Sequence, residues 1–88
     1  MERIARICAM EERMERANAA LAAGELSVAE DDVLALSAYY SGGQWLADYE
    51  ADERGELPRD LKRGVLSQDG LYDLLEAWNT VKDEGEGL

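Results

Sequence analysis

The stretch "DYEADERGELPRDLKRG", Asp48 to Gly64, gathers six carboxylates and four basic residues around Pro58. Asp48, Asp52 and Glu53 are the oxygen donors close enough in sequence to hold a divalent cation. A calcium loop of EF-hand type alternates its ligands and places a glycine at the sixth position, before a distant glutamate. Here the first glycine after Asp48 is Gly55, which comes too late. The chain has no histidine and one cysteine, Cys8. Zinc and most transition metals therefore lack their usual ligands, and the commonest general acid–base is missing. Cys8 lies beside an apolar stripe and reads as a small packing residue. Ser27 and Ser67 read as helix caps, not nucleophiles. We expect no catalytic residue, no cofactor and no resident metal, and hence no enzyme. Binding of a divalent metal or small ligand at Asp48, Asp52 and Glu53 is the alternative reading.

On a helical wheel with Trp45 at zero, Tyr49 falls at about 40 degrees, Asp52 at about 340 and Asp48 at about 300. Trp45 and Tyr49 share a face, Asp52 lies almost within it, and Asp48 sits on its shoulder. A shielded carboxylate needs a cation or several donors to stay ionised. Lys62, Arg63 and the free N–H groups at the Ser67 helix start are the nearest supply. Asp52, with Asp48 nearby, is thus expected to brace the third helix against the fourth. If the stretch also binds something, the expected ligand is a partner protein using Trp45, Tyr49 and the basic strip Arg59, Lys62 and Arg63.

The elements that must position these residues are helical. "MERIARICAMEERMERANAALAA" carries Ile7, Met10, Met14, Ala17 and Leu21 at steps of three and four, and Ile4 extends the stripe. Glu2–Arg6 and Glu12–Arg16 are pairs at i,i+4 in the favourable order. Gly24 suits a helix stop. Ser27 with Glu30 resembles a capping box, with Asp31 and Asp32 near the positive end of the dipole. Ala29, Val33, Leu36 and Tyr40 continue the stripe, and Gly42 and Gly43 end it. Two such stripes joined by a short connection predict an antiparallel helical hairpin. A third helix is expected over 44–54, with Gly55 as its stop. Pro58 suits the first turn of a short helix closed by Gly64. Ser67 caps a last helix with Asp69 in its first turn and Leu71, Leu74, Leu75 and Trp78 on one face. Val81 prolongs that face, and "KDEGEGL" reads as a frayed polar tail.

The expected fold is all-α: one domain over 1–88, with a long antiparallel hairpin over 1–41. Two shorter helices, within 44–83, pack on it. Eighty-eight residues bury a modest core, so a homodimer through the N-terminal hairpin would follow from size. Met10, Met14, Tyr39 and Tyr40 suit a core or an interface equally. The net charge of −11 opposes direct contact with nucleic acid or anionic lipid. Four acids and four arginines balance in 1–23, so sixteen of the twenty acids follow Gly24. That excess makes a nucleic-acid mimic, occupying a DNA-binding protein, a second alternative. No secretory signal or membrane span is visible, and a single cysteine forms no disulfide framework, which points to the cytoplasm.

"YYSGGQWLADYEADERGELPRDLKRGVLSQDGLYDLL" resembles the core motif of domain-of-unknown-function family 4298. The resemblance rests on Tyr39, Tyr40, Trp45, Asp48, Tyr49, Asp52, Glu53, Leu57 and Pro58, then Leu61 to Gly64, Leu66 and Ser67. It is close over the second half of the chain. Gly42, Gly43 and Gly70 depart from it. It implies a small bacterial or phage helical protein and supplies no substrate or catalytic residue. The function expected is a non-catalytic protein-interaction module of unidentified partner.

Overall fold

The computed structural model describes residues 2–86. It is all-α, with helices α1 (Arg3–Ala22), α2 (Leu26–Ser41), α3 (Gln44–Glu53) and α4 (Gln68–Glu86) and a 3-10 turn at Gly64–Leu66. No strand occurs among the described residues. The principal extents are 47 × 21 × 20 Å and the radius of gyration is 13.5 Å. A compact chain of this length has a radius near 12 Å. The elongation follows from α1 and α4, which at 1.5 Å per residue each run to about 30 Å.

Glu2 starts α1 by accepting hydrogen bonds from the Ile4 and Ala5 N–H groups, at 3.1 and 3.3 Å. The expected Glu2–Arg6 pair is thereby replaced: the carboxylate caps the helix and Arg6 turns elsewhere. Gly24, at φ 75°, stops α1 as expected. Its N–H bonds to the Leu21 carbonyl at 3.1 Å, and the Glu25 N–H to that of Ala20 at 2.8 Å. Gly55, at φ 74°, closes α3 with the same pair of bonds, to Asp52 and Ala51. Both are Schellman stops, which place a glycine in the left-handed region.

Three expectations about helix ends are corrected. Ser27 does not cap α2. The helix already begins at Leu26, the capping position is Glu25, and no side chain caps it. Pro58 opens a turn with no helix behind it, and Gly64, expected to close a short helix there, instead begins the 3-10 turn. The C-terminal stretch is not a frayed tail up to Glu86: nothing there breaks the helix, and α4 carries on to that residue. At 19 residues α4 is also longer than α2, so only α3 is a short helix. Gly87 and Leu88 lie outside the described residues.

The most extensive helix contact is between α1 and α2; α3 packs on α2, and α4 on both α1 and α2. The core joins Ile7 and Ala17 of α1 to Val33, Leu36 and Tyr39 of α2 and Trp45 of α3. Val65 and Leu66 of the 3-10 turn, Leu71, Leu74 and Trp78 of α4, and the small Ala20 and Ala29 complete it. Tyr39 is thus a core residue, while Met10, Met14 and Tyr40 pack at its margin. Cys8 is exposed, contrary to the packing role expected of it. No helix among the described residues is long and apolar enough to cross a membrane.

Candidate functional site

The carboxylate that α3 carries inward is Asp48. It is fully buried, and donors from two other helices surround it. Tyr39 Oη donates to Oδ2 at 2.7 Å. Arg6 Nε donates to Oδ2 at 2.9 Å and its Nη2 donates to Oδ1. Arg3 Nε donates to Oδ1 at 3.0 Å. Burial pushes the Asp48 carboxyl up. The hydrogen bonds from Arg6, Tyr39 and Arg3 and the Arg6 charge outweigh it, and the carboxyl lies below its ordinary value. Burial first, and the bond to Asp48 second, raise the Tyr39 hydroxyl far above its usual range. A buried ion pair of this kind holds α1, α2 and α3 in one register; its net gain over an apolar core is small.

Asp32 of α2 repeats the arrangement ten residues further along α1. Arg13 Nη1 donates to its Oδ1 at 2.9 Å, and Arg16 donates through Nε to Oδ2 at 3.1 Å and through Nη2 to Oδ1 at 3.0 Å. The Arg16 hydrogen bond pulls the Asp32 carboxyl down against the effect of burial, with the Arg13 charge assisting. The expected Glu12–Arg16 pair along α1 gives way to this bond across helices. Between the two arginine pairs, buried Glu11 accepts the Val65 N–H at 2.7 Å through Oε2 and ties α1 to the 3-10 turn.

The expected site residues fall into different roles. Trp45 is buried, and its indole N–H donates to the Val65 carbonyl at 2.8 Å. Tyr49 stacks on it at 5.1 Å between centroids, as their shared face implies. Tyr40 packs on Trp45 too, tilted by 56° at 5.0 Å between centroids. Asp52 does meet Arg63, whose Nε donates to Oδ1 at 2.7 Å. The same guanidinium binds the carbonyls of Pro58, Arg59 and Leu61, so it fastens the connector between α3 and α4. Lys62 lies 3.6 Å from Glu15 of α1, not beside Asp52. Ser67 Oγ accepts the Gly70 N–H at 3.3 Å and is the cap of α4.

Asp52 thus ties α3 to the connector, not to α4, and Asp48, expected as its companion, is the central buried carboxylate. Of the basic strip, Arg59 and Lys62 are exposed, while Arg63 is half-buried and commits its guanidinium to Asp52 and the connector carbonyls. Asp48, Asp52 and Glu53 do not converge on one point. Asp48 faces α1 and α2, Asp52 faces Arg63, and Glu53 is exposed. Among the described residues no group of three or more acidic or cysteine side chains is placed to hold a metal ion.

Sequence reasoning missed Arg3, Arg6, Glu11, Arg13, Arg16 and Asp32. The signal was available: two arginine pairs at i,i+3 border the apolar stripe of α1, where long side chains can reach a neighbouring helix. The consequence for the surface is large. Arg3, Arg6, Arg13, Arg16, Arg54 and Arg63 each bond a carboxylate of the same chain. The outer side of α4 shows Asp69, Tyr72, Asp73, Glu76, Thr80 and Asp83, all exposed.

A family model described as a domain of unknown function, DUF4298, matches residues 1–84. No curated protein and no solved structure matches the chain.

Proposed function

Because the chain belongs to the DUF4298 family, whose description assigns no activity, we propose a function from its own geometry. It is a non-catalytic protein-interaction module that offers an acidic helical surface to a cationic protein, with the cytoplasm as its compartment. We read the fold as an antiparallel hairpin over 1–41 that carries α3 and α4. The observation that supports the module is the pairing of the cations within the chain. Seven of the nine cationic side chains pair with carboxylates within the chain, and so the charge left over at the surface is acidic. Such a field steers cationic partners and repels nucleic acid. The buried carboxylates Asp48 and Asp32 are held by arginines, an arrangement that suits fastening helices over turning over a substrate.

The test is capture from the host lysate with the tagged protein, read by quantitative mass spectrometry. A variant with Asp69→Asn, Asp73→Asn and Glu76→Gln runs beside it. We expect a stoichiometric basic protein that elutes as salt is raised and is lost with the neutralised variant. Capture that is empty, or indifferent to those three substitutions, would count against the reading. A DNA-binding protein as the captured partner would make the module a nucleic-acid mimic; any other basic protein would make it an adaptor.

A further inference from the structure

The α1–α2 contact leaves a groove of about 580 Å³ on its outer side, near the turn that joins the two helices. Its floor is apolar, made by Ala19, Ala20 and Val28. Val28 is 60% exposed, the largest exposure of any bulky apolar side chain described. The α1 rim carries Arg13 and Arg16, both bonded to the buried Asp32 that also lines the groove. The opposite rim carries the exposed Glu25, at the capping position of α2, and Asp31 of α2. The groove thus reads cation, apolar floor, anion across its width.

We propose that this groove is the interface of a two-fold symmetric homodimer. A two-fold axis brings a patch against itself, so the patch must be its own complement. Opposite charges on the two rims meet that condition: the arginine rim of each copy faces the carboxylate rim of the other, and the two Val28 side chains close over the small Ala19 and Ala20. The arginines have capacity for the second contact. A guanidinium offers five N–H donors. Arg16 uses Nε and Nη2 on Asp32, and Arg13 uses Nη1 alone. The Arg16 side chain keeps 57% of its surface exposed.

Charge also selects the occupant. A cationic partner meets two arginines here and is better served by the outer side of α4, where the exposed charges Asp69, Asp73, Glu76 and Asp83 are all carboxylates. An acidic second copy finds its complementary cations on this rim. The net repulsion of two chains of −11 is short-ranged at physiological salt, where the screening length is about 8 Å. The proposal is independent of the cationic partner above, since it concerns a different surface.

The test is sedimentation equilibrium of the purified full chain at physiological salt, up to about 200 µM, a range that reads dissociation constants well above micromolar. Wild type should approach twice the chain mass. Val28→Asp, at an exposed position, should keep the wild-type helix content and weaken dimerisation at least about tenfold. The deciding experiment reverses one rim at a time. Arg16→Glu places acid against acid, and the double variant Glu25→Arg with Asp31→Arg places cation against cation. Each should be monomeric alone, and their equimolar mixture should dimerise, because both rim contacts are then restored across the pair. Arg13 still holds Asp32 in the Arg16→Glu protein, and circular dichroism verifies its folding. A wild type that stays monomeric throughout, reversed variants that dimerise as wild type does, or a mixture that stays monomeric would each overturn the proposal.

Discussion

The Tyr39 hydroxyl and the Asp48 carboxylate stand 2.7 Å apart in the buried space where α1, α2 and α3 meet. Arg6 closes the same carboxylate from the other side, so one acidic group organises three helices. Removing its charge leaves Arg6 inside without a counterion, which costs about 3–5 kcal/mol in comparable buried pairs. Asp48→Asn should therefore lower the melting temperature by roughly 12 °C or more, at about 4–8 °C per kcal/mol for a domain of this size. Tyr39→Phe removes one donor and leaves the ion pair, at a cost of about 1–2 kcal/mol. Equal melting temperatures for these two variants would refute the ranking.

Asp52 provides the intermediate case. It keeps 29% of its side-chain surface exposed where Asp48 keeps none, and it has one arginine where Asp48 has two. Solvent screens a pair of that kind, and about 1 kcal/mol is the expected scale. Thermal unfolding should rank Asp48→Asn as most damaging, Asp52→Asn next, and the exposed Glu50→Gln as indistinguishable from wild type. A variant at Asp52 as damaging as one at Asp48 would move the centre of the fold back to the connector.

The pH profile follows from the same groups. Asp48 and Asp32 have folded values below their ordinary ones, so the unfolded chain takes up their protons first as pH falls. Their contribution is complete above the ordinary aspartate value of about 3.9 and is lost as pH drops through the folded values. Tyr39 has the opposite sign: its folded value is raised, so its contribution is complete below about pH 10 and is lost as pH rises beyond that. Melting temperature should fall at both extremes. Tyr39→Phe should flatten the alkaline fall, and Asp48→Asn should reduce the acid one. Unchanged slopes in both variants would show that other groups set the limits.

The sequence made the helices legible because local rules govern them. The apolar steps around Ile7 and Ala17, the stops at Gly24 and Gly55, and the Leu71–Trp78 face depend on residues within a turn or two. The Trp45–Tyr49 stack was legible for the same reason. The arginines of α1 were not. Arg6 and Arg16 have acidic neighbours at i−4, and the local rule pairs them there. The structure pairs them with Asp48 and Asp32, at separations of 42 and 16 residues. An exposed pair on one helix gains a few tenths of a kcal/mol, whereas a buried carboxylate left unpaired costs several, so the distant partner wins. The position of Asp48 on the wheel gave its shoulder placement but not which helix would cover that shoulder.

Gly64 makes a tight approach that can be tested. A Cβ added there would lie 2.7 Å from Glu11 Oε1 and 3.3 Å from Oε2. Glu11 cannot swing away freely, because Oε2 holds the Val65 N–H at 2.7 Å. Gly64→Ala should cost about 1–3 kcal/mol through overpacking and the strained bond. In a Glu11→Ala background the same change should cost much less, and the double-mutant cycle should give a coupling of about 1 kcal/mol or more. Additive effects would mean that the methyl group finds room without moving Glu11.

Ser27 and Ser67 look alike in sequence, each three residues before a helix position that could accept its cap, yet the structure treats them differently. Ser67 Oγ accepts the Gly70 N–H, while Ser27 is the second residue of α2 and caps nothing. The cause lies in the preceding helix. The stop at Gly24 requires the Glu25 N–H to reach back to Ala20, and this fixes the chain so that Leu26 begins α2. Ser67 follows a 3-10 turn that imposes no such early start, and it takes the extended backbone, φ −66° and ψ 129°, that a capping residue needs. Ser67→Ala should therefore destabilise the protein by about 1 kcal/mol. Ser27→Ala should be neutral, or stabilising by up to about 0.5 kcal/mol, since alanine is the better helix former. Urea unfolding of both variants measures the difference. A loss at Ser27 as large as that at Ser67 would show that α2 starts two residues later in solution, at Val28, with Ser27 as its cap and the hairpin turn set by α2, not by α1.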